Sequence, residues 1–148
     1  MNLVEQLLKA DIKKADELET SVFKSRKLAK VLGVKPTEDN PEPTVDVTIR
    51  EVKSRRVNDI MSYQINKKGN LDYSRTYDAK LMMCIEGVVD PDLRDKSLQE
   101  HFEVGDAKAL CDKLFGFEIN DLSDAISALS GIRADNDEDE DEEEEIKN

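Results

Sequence analysis

His101 is the single histidine of this 148-residue chain, so any imidazole base, proton shuttle or nitrogen metal ligand has to be that residue. Its setting, LQEHFEV, places it on a short helix beside Leu98 and Phe102. A structural or solvent-facing role suits that setting better than catalysis. The two cysteines, Cys84 in LMMCIEG and Cys111 in KALCDKLF, fall on apolar helix faces, where thiols behave as small, inert hydrophobes. Two cysteines 27 positions apart and one histidine lack the close ligand spacing and the fourth ligand of a zinc module. The glycines are isolated, so no phosphate-cradling GxGxxG or GxxxxGK[ST] loop is present, and there is no GxSxG elbow or HExxH helix. The expectation is a protein that is not an enzyme, with no catalytic residue, cofactor or metal, and a role in interaction.

One segment imitates a metal site. ADNDEDEDEEEEIKN places ten carboxylates between Asp135 and Glu145. A calcium loop beginning at Asp135 has acids at Asp137 and Asp139, but it needs glycine at its sixth position and a bidentate acid at its twelfth. Those positions hold Glu140 and Ile146. Ten neighbouring acids repel one another and bury nothing, so residues 135–148 are expected to be a disordered, solvated tail.

The tail also explains the charge. Of the net −12, residues 135–148 carry ten acids and one lysine, or −9, which leaves −3 for residues 1–134. A nearly neutral body with an acidic appendage is not the footprint of a nucleic-acid binder. Basic clusters at Lys24, Arg26, Lys27 and Lys30, and at Arg50, Lys53, Arg55 and Arg56, read as solvated helix faces. Two cysteines without a Cys-x-x-Cys pair fit a reducing compartment. The N-terminal MNLVEQLLKADIKK is interrupted by Glu5 and Lys9 and does not resemble a secretion signal. No apolar run approaches the roughly 20 residues that cross a bilayer, so a soluble intracellular protein without membrane contact is expected.

Such length supports one domain, residues 1–134. With no tryptophan and 5% aromatics, its core must be chiefly aliphatic. The six glycines each follow an apolar periodic segment and mark helix ends before Gly33, Gly69, Gly87, Gly105, Gly116 and Gly131. Tyr73, Tyr77, Leu81 and Ile85, joined by Cys84, form one helical stripe, and Leu122, Ala125, Ile126, Leu129 and Ile132 form another. Asn120 or Asp121 is positioned to cap the latter. Leu3, Val4, Leu7 and Leu8 share the face of a first helix that is expected to extend through Ile12, Ala15 and Leu18. In TVDVTIRE, Val45, Val47 and Ile49 alternate as in a half-buried strand, with TSVFKS as partner and the proline-rich KPTEDNPEP as the loop between them. The expected fold is mostly α: a compact single-domain helical bundle, a small two-stranded β element in the N-terminal third and the acidic tail.

The ordered C-terminal half carries a family pattern. DKSLQEHFEVGDAKALCDKLFGFEINDLSDAISALSGI, preceded by KLMMCIEGVVDPDL, resembles the XkdN-like bacteriophage tail assembly chaperones. The shared features are an "EGV-x-P" break at Glu86 to Pro91, an "LL-x-K-FG"-like segment at Leu98 to Gly105, a "GEI"-like helix entry and a closing "I-x-x-LSG" at Ile126 to Gly131. The order of SRKLAKVLG, TVDVTIREV and a polar helix extends the resemblance over most of residues 20–132. Two departures stand out: Phe117 separates Gly116 from Glu118, and Phe115 replaces a proline common before that glycine.

The resemblance implies an accessory protein of the host bacterial cytoplasm that holds the phage tape measure protein, assists the tail tube protein, and is absent from the finished virion. It also implies, as a further candidate partner, a frameshifted longer form of the same chain, and it is compatible with a homo-oligomer. A tape measure protein awaiting assembly exposes apolar helical faces, which a partner's apolar surface can cover reversibly. Leu3, Val4, Leu7 and Leu8 are the candidate partner-binding residues, with packing onto the core as the competing role. The alternative function is a non-enzymatic regulatory or scaffold module whose acidic tail mimics nucleic acid toward a basic partner.

Overall fold

The structure, a computed structural model, describes residues 2–132. The acidic segment, the calcium-loop comparison and the tail expectation lie outside the described residues. Among the described residues, seven α-helices and three strands are formed: α1 Leu3–Leu8, β1 Thr20–Ser25, α2 Arg26–Val31, β2 Val45–Arg50, α3 Ser54–Tyr63, α4 Thr76–Gly87, β3 Val88–Asp90, α5 Lys96–His101, α6 Ala107–Phe115 and α7 Ile119–Leu129. Short polar side chains start four of the helices. Asn2, Ser25, Asp95 and Asp106 each accept a backbone N–H three residues on, at 2.8–2.9 Å.

The sheet has three antiparallel strands in the order β1-β2-β3, where the sequence led to expect two. TSVFKS and VDVTIR do pair, Thr20 opposite Arg50 and Ser25 opposite Val45. The added strand, β3, follows α4 without a loop and pairs Ile49 with Val88 and Thr48 with Asp90, across a register irregularity. Three residues are too few to display a period of two, which is why Val88 and Val89 read only as part of the break after Gly87. The helices accordingly pack on a sheet and do not form a pure bundle.

The core is aliphatic, with Phe115 as its one fully buried aromatic ring. α4 is central and packs against α3, α6 and α7, while α7 also reaches β1 and β2. Val47 and Ile49 from β2, Ile60, Cys84, Leu110, Leu114, Leu122 and Ile126 are buried together. Each such side chain contributes about 1.5–3 kcal/mol through removal from water. The α7 stripe matches the expected periodicity: Leu122 and Ile126 are buried, and Ala125 and Leu129 pack beside them.

Several local expectations are corrected. Tyr73 lies on a short 3-10 turn before α4 and is exposed, because Asp72 turns the chain there by accepting Ser74 N at 3.0 Å. α3 ends at Tyr63, well before Gly69: Asn66 Oδ1 accepts from Lys68 N and Asn70 N and closes a tight turn that pairs Ile65 with Leu71. Neither Asn120 nor Asp121 caps α7, which continues directly from the 3-10 turn Gly116–Glu118 without a side-chain cap. Gly87 does not end its helix through positive φ; it allows α4 to approach α7 so closely that an added Cβ would collide with the Ile126 side chain. The extension of the first helix is broken after Leu8 and resumes only as a 3-10 turn, Ile12–Asp16.

Candidate client-binding surface

The positions singled out for catalysis separate. His101 sits exposed on the last turn of α5, its ring edge-on to Phe102 at 5.0 Å. Cys84 and Cys111 are buried and meet between α4 and α6, an encounter their spacing does not reveal. The Cys111 thiol and burial together hold the Cys84 thiol far above its ordinary pKa, so it is protonated and unreactive. Among the described residues, no three His, Cys, Asp or Glu side chains gather in a metal-binding arrangement. No described helix is long and apolar enough to cross a membrane.

What the fold does present is surface. On α1, Leu3, Val4, Leu7 and Leu8 are 63–81% exposed, and the helix contributes no buried residue. The sequence found this stripe from its spacing; the structure leaves it facing water. Ile12, on the following turn, is exposed as well.

A second apolar surface was missed. Between α2 and the proline-rich loop lies a groove of about 330 Å³, lined by Ala29, Val34, Pro41 and Phe117 with Arg26 and Lys30 at its edge. Phe117 is 68% exposed. Its one sequence signal was the insertion between Gly116 and Glu118, and that insertion turns the ring outward while Glu118 turns in. Glu118 Oε1 accepts the Ser25 hydroxyl at 2.8 Å and Lys27 N at 2.7 Å, and Oε2 accepts Arg26 N at 3.3 Å. The carboxylate thus serves the start of α2, from the far end of the chain.

A third surface is charged. A groove of about 310 Å³ opens between Leu18, Arg50, Val52, Lys53, Arg56 and Glu86. Glu86 Oε1 is held by Arg56 at 3.0 Å and Arg94 at 3.2 Å. Among the described residues Arg50, Lys53 and Arg55 form no ion pair. The α3 start lacks a side-chain cap and has no acid in its first turn.

At the other end of α4, Asp78 pairs with Lys108 at 2.8 Å. The Lys108 hydrogen bond holds the Asp78 carboxyl below its usual range. Tyr77 donates a short hydrogen bond to Asp112. Burial and that carboxylate push the phenol up to about 12. These contacts join α4 to α6 and need no ligand.

The model of the phage XkdN-like tail assembly chaperone proteins matches residues 4–147, nearly the whole chain. This chain belongs to that family. The match begins earlier and ends later than the resemblance read over residues 20–132, and takes in most of α1. In fold, the chaperone is similar to the crystal structure of the protein YqbN, with a TM-score of 0.53 and 13% identity over 79% of this chain and 90% of that one. At that identity the likeness concerns the fold alone. No curated protein matches the chaperone in sequence.

Proposed function

We propose that this tail assembly chaperone binds the tape measure protein, the tail tube protein or both during assembly, and leaves before the virion matures. The exposed α1 stripe carries the reading. Four large aliphatic side chains in water on a six-residue helix bring their owner no folding energy, yet they match what an apolar helical client needs. Leu3, Val4, Leu7 and Leu8 are the proposed contact residues. Because a helix this short is marginal alone, docking would also order it. The interaction would be dominated by burial of these aliphatics and would release as subunits polymerise and compete for the same client face.

Co-expression of the tagged chain with the tape measure protein or the tube protein of the same phage tests this. Recovery of either as a soluble complex, together with absence of the chain from purified virions by mass spectrometry, is the expected result. Recovery of neither, or the chain persisting in virions at tail stoichiometry, contradicts it.

A further inference from the structure

We propose that two copies of this chain join along the outer edge of β1, antiparallel, into one continuous sheet with three strands from each copy. β1 lies at one end of the strand order and pairs with β2 alone. Beside the paired residues Glu51 N donates to Glu19 O at 2.8 Å, which sets the alternation of the ladder. Ser21, Phe23 and Ser25 therefore turn their backbone groups toward β2, and Thr20, Val22 and Lys24 turn theirs outward. Among the described residues, those outward N–H and C=O groups have no hydrogen-bond partner. Free strand edges are usually blunted against pairing. β3 is blunted, being three residues long and followed by Pro91. β1 keeps its register over six residues without a proline, and its single charge, Lys24, is drawn back over β2 by Asp46 at 2.6 Å.

Self-complementarity selects a second copy as the occupant. In an antiparallel pair about a two-fold axis, residues opposite each other share one face of the sheet, so outward residues must meet outward residues. An axis centred on Val22 sets Val22 against its own copy and Thr20 against Lys24 at both ends, with about six main-chain hydrogen bonds between the strands. Like charges are nowhere directly opposed in that register, and the two valines, each 50% exposed in the single chain, cover one another. An axis centred on Phe23 would instead oppose Val22 with Lys24 and leave Thr20 without a partner inside the strand. The pairing stands apart from the α1 reading, because it concerns a different element and needs no client. Where both hold, one particle carries two α1 stripes, and a long apolar client is gripped twice.

Sedimentation and amide hydrogen exchange of the full-length chain test it, in about 0.15 M salt to screen the net charge of −12. The mass should double between low concentration and about 100 μM. Over the same range the amides of Thr20, Val22 and Lys24 should gain at least about tenfold protection, while those of Ser21 and Phe23 are protected throughout. Val22→Lys, which sets two ammonium groups against each other at the axis, should stay monomeric with a thermal midpoint within about 2 °C of the parent. Exchange in the parent locates the contact without any substitution. A monomer even at about 1 mM would overturn the proposal and leave the edge to an extended segment of another protein. A dimer whose Thr20, Val22 and Lys24 amides still exchange freely, or one that Val22→Lys leaves intact, would overturn it as well.

Discussion

Glu118 accepts the hydroxyl of Ser25 at 2.8 Å across 93 positions of sequence, and in doing so ties the end of β1 and the start of α2 to the entrance of α7. Both side chains are buried, and no buried polar side-chain atom among the described residues lacks a partner. Removal of the carboxylate strands the N–H groups of Lys27 and Arg26 at a helix start. Glu118→Ala should cost about 1–3 kcal/mol in urea unfolding, and Glu118→Gln, which keeps an acceptor oxygen, distinctly less.

The same residue shows what sequence can and cannot reveal. The periodicity of Leu122 and Ile126 announced α7, and the alternation of Val45, Val47 and Ile49 announced β2, because each pattern is local and repeats within one element. Glu118 looked like an ordinary helix-entry acid, since its partner is distant in the chain. Cys84 and Cys111 likewise gave no sign of meeting. The stripe of Leu3, Val4, Leu7 and Leu8 was legible as a stripe, but periodicity does not say whether a face meets a core or water. Tyr73 fitted the α4 period by number alone, and the turn chemistry of Asp72 decided otherwise.

Gly87 lies where α4 runs close against Ile126 of α7. All three nearest atoms to a new Cβ belong to Ile126, a fully buried side chain with little room to shift. Gly87→Ala should therefore destabilise by about 1–3 kcal/mol. Combined with Ile126→Ala, it should lose less than the two single changes added together, a coupling measurable by chemical denaturation of the four proteins.

The buried thiols of Cys84 and Cys111 should resist an alkylating reagent in native buffer and react together on unfolding. Mass spectrometry of samples quenched across a urea series should give a labelling midpoint that coincides with the loss of helix by circular dichroism. Labelling ahead of that midpoint would show α4 and α6 parting before the rest.

Tyr77 sets a pH dependence at the alkaline end. Its folded-state pKa, about 12, lies above the ordinary 10.0. The folded protein therefore holds the phenolic proton more tightly, and this stabilisation is complete below pH 10 and lost as pH rises toward 12. An absorbance titration of the native chain should show a late phase from Tyr77. Tyr77→Phe should remove that late phase and flatten the alkaline decline of stability.

The most direct measurement of client binding through α1 pairs thermal unfolding with binding for the double variant Leu3→Ser, Leu7→Ser. Since both side chains are exposed, the midpoint should stay within about 2 °C of the parent. Binding to the purified tape measure or tube protein should weaken at least about tenfold, as two aliphatic contacts are lost. Unchanged affinity, or a variant that no longer folds, would contradict a client-binding role for this helix.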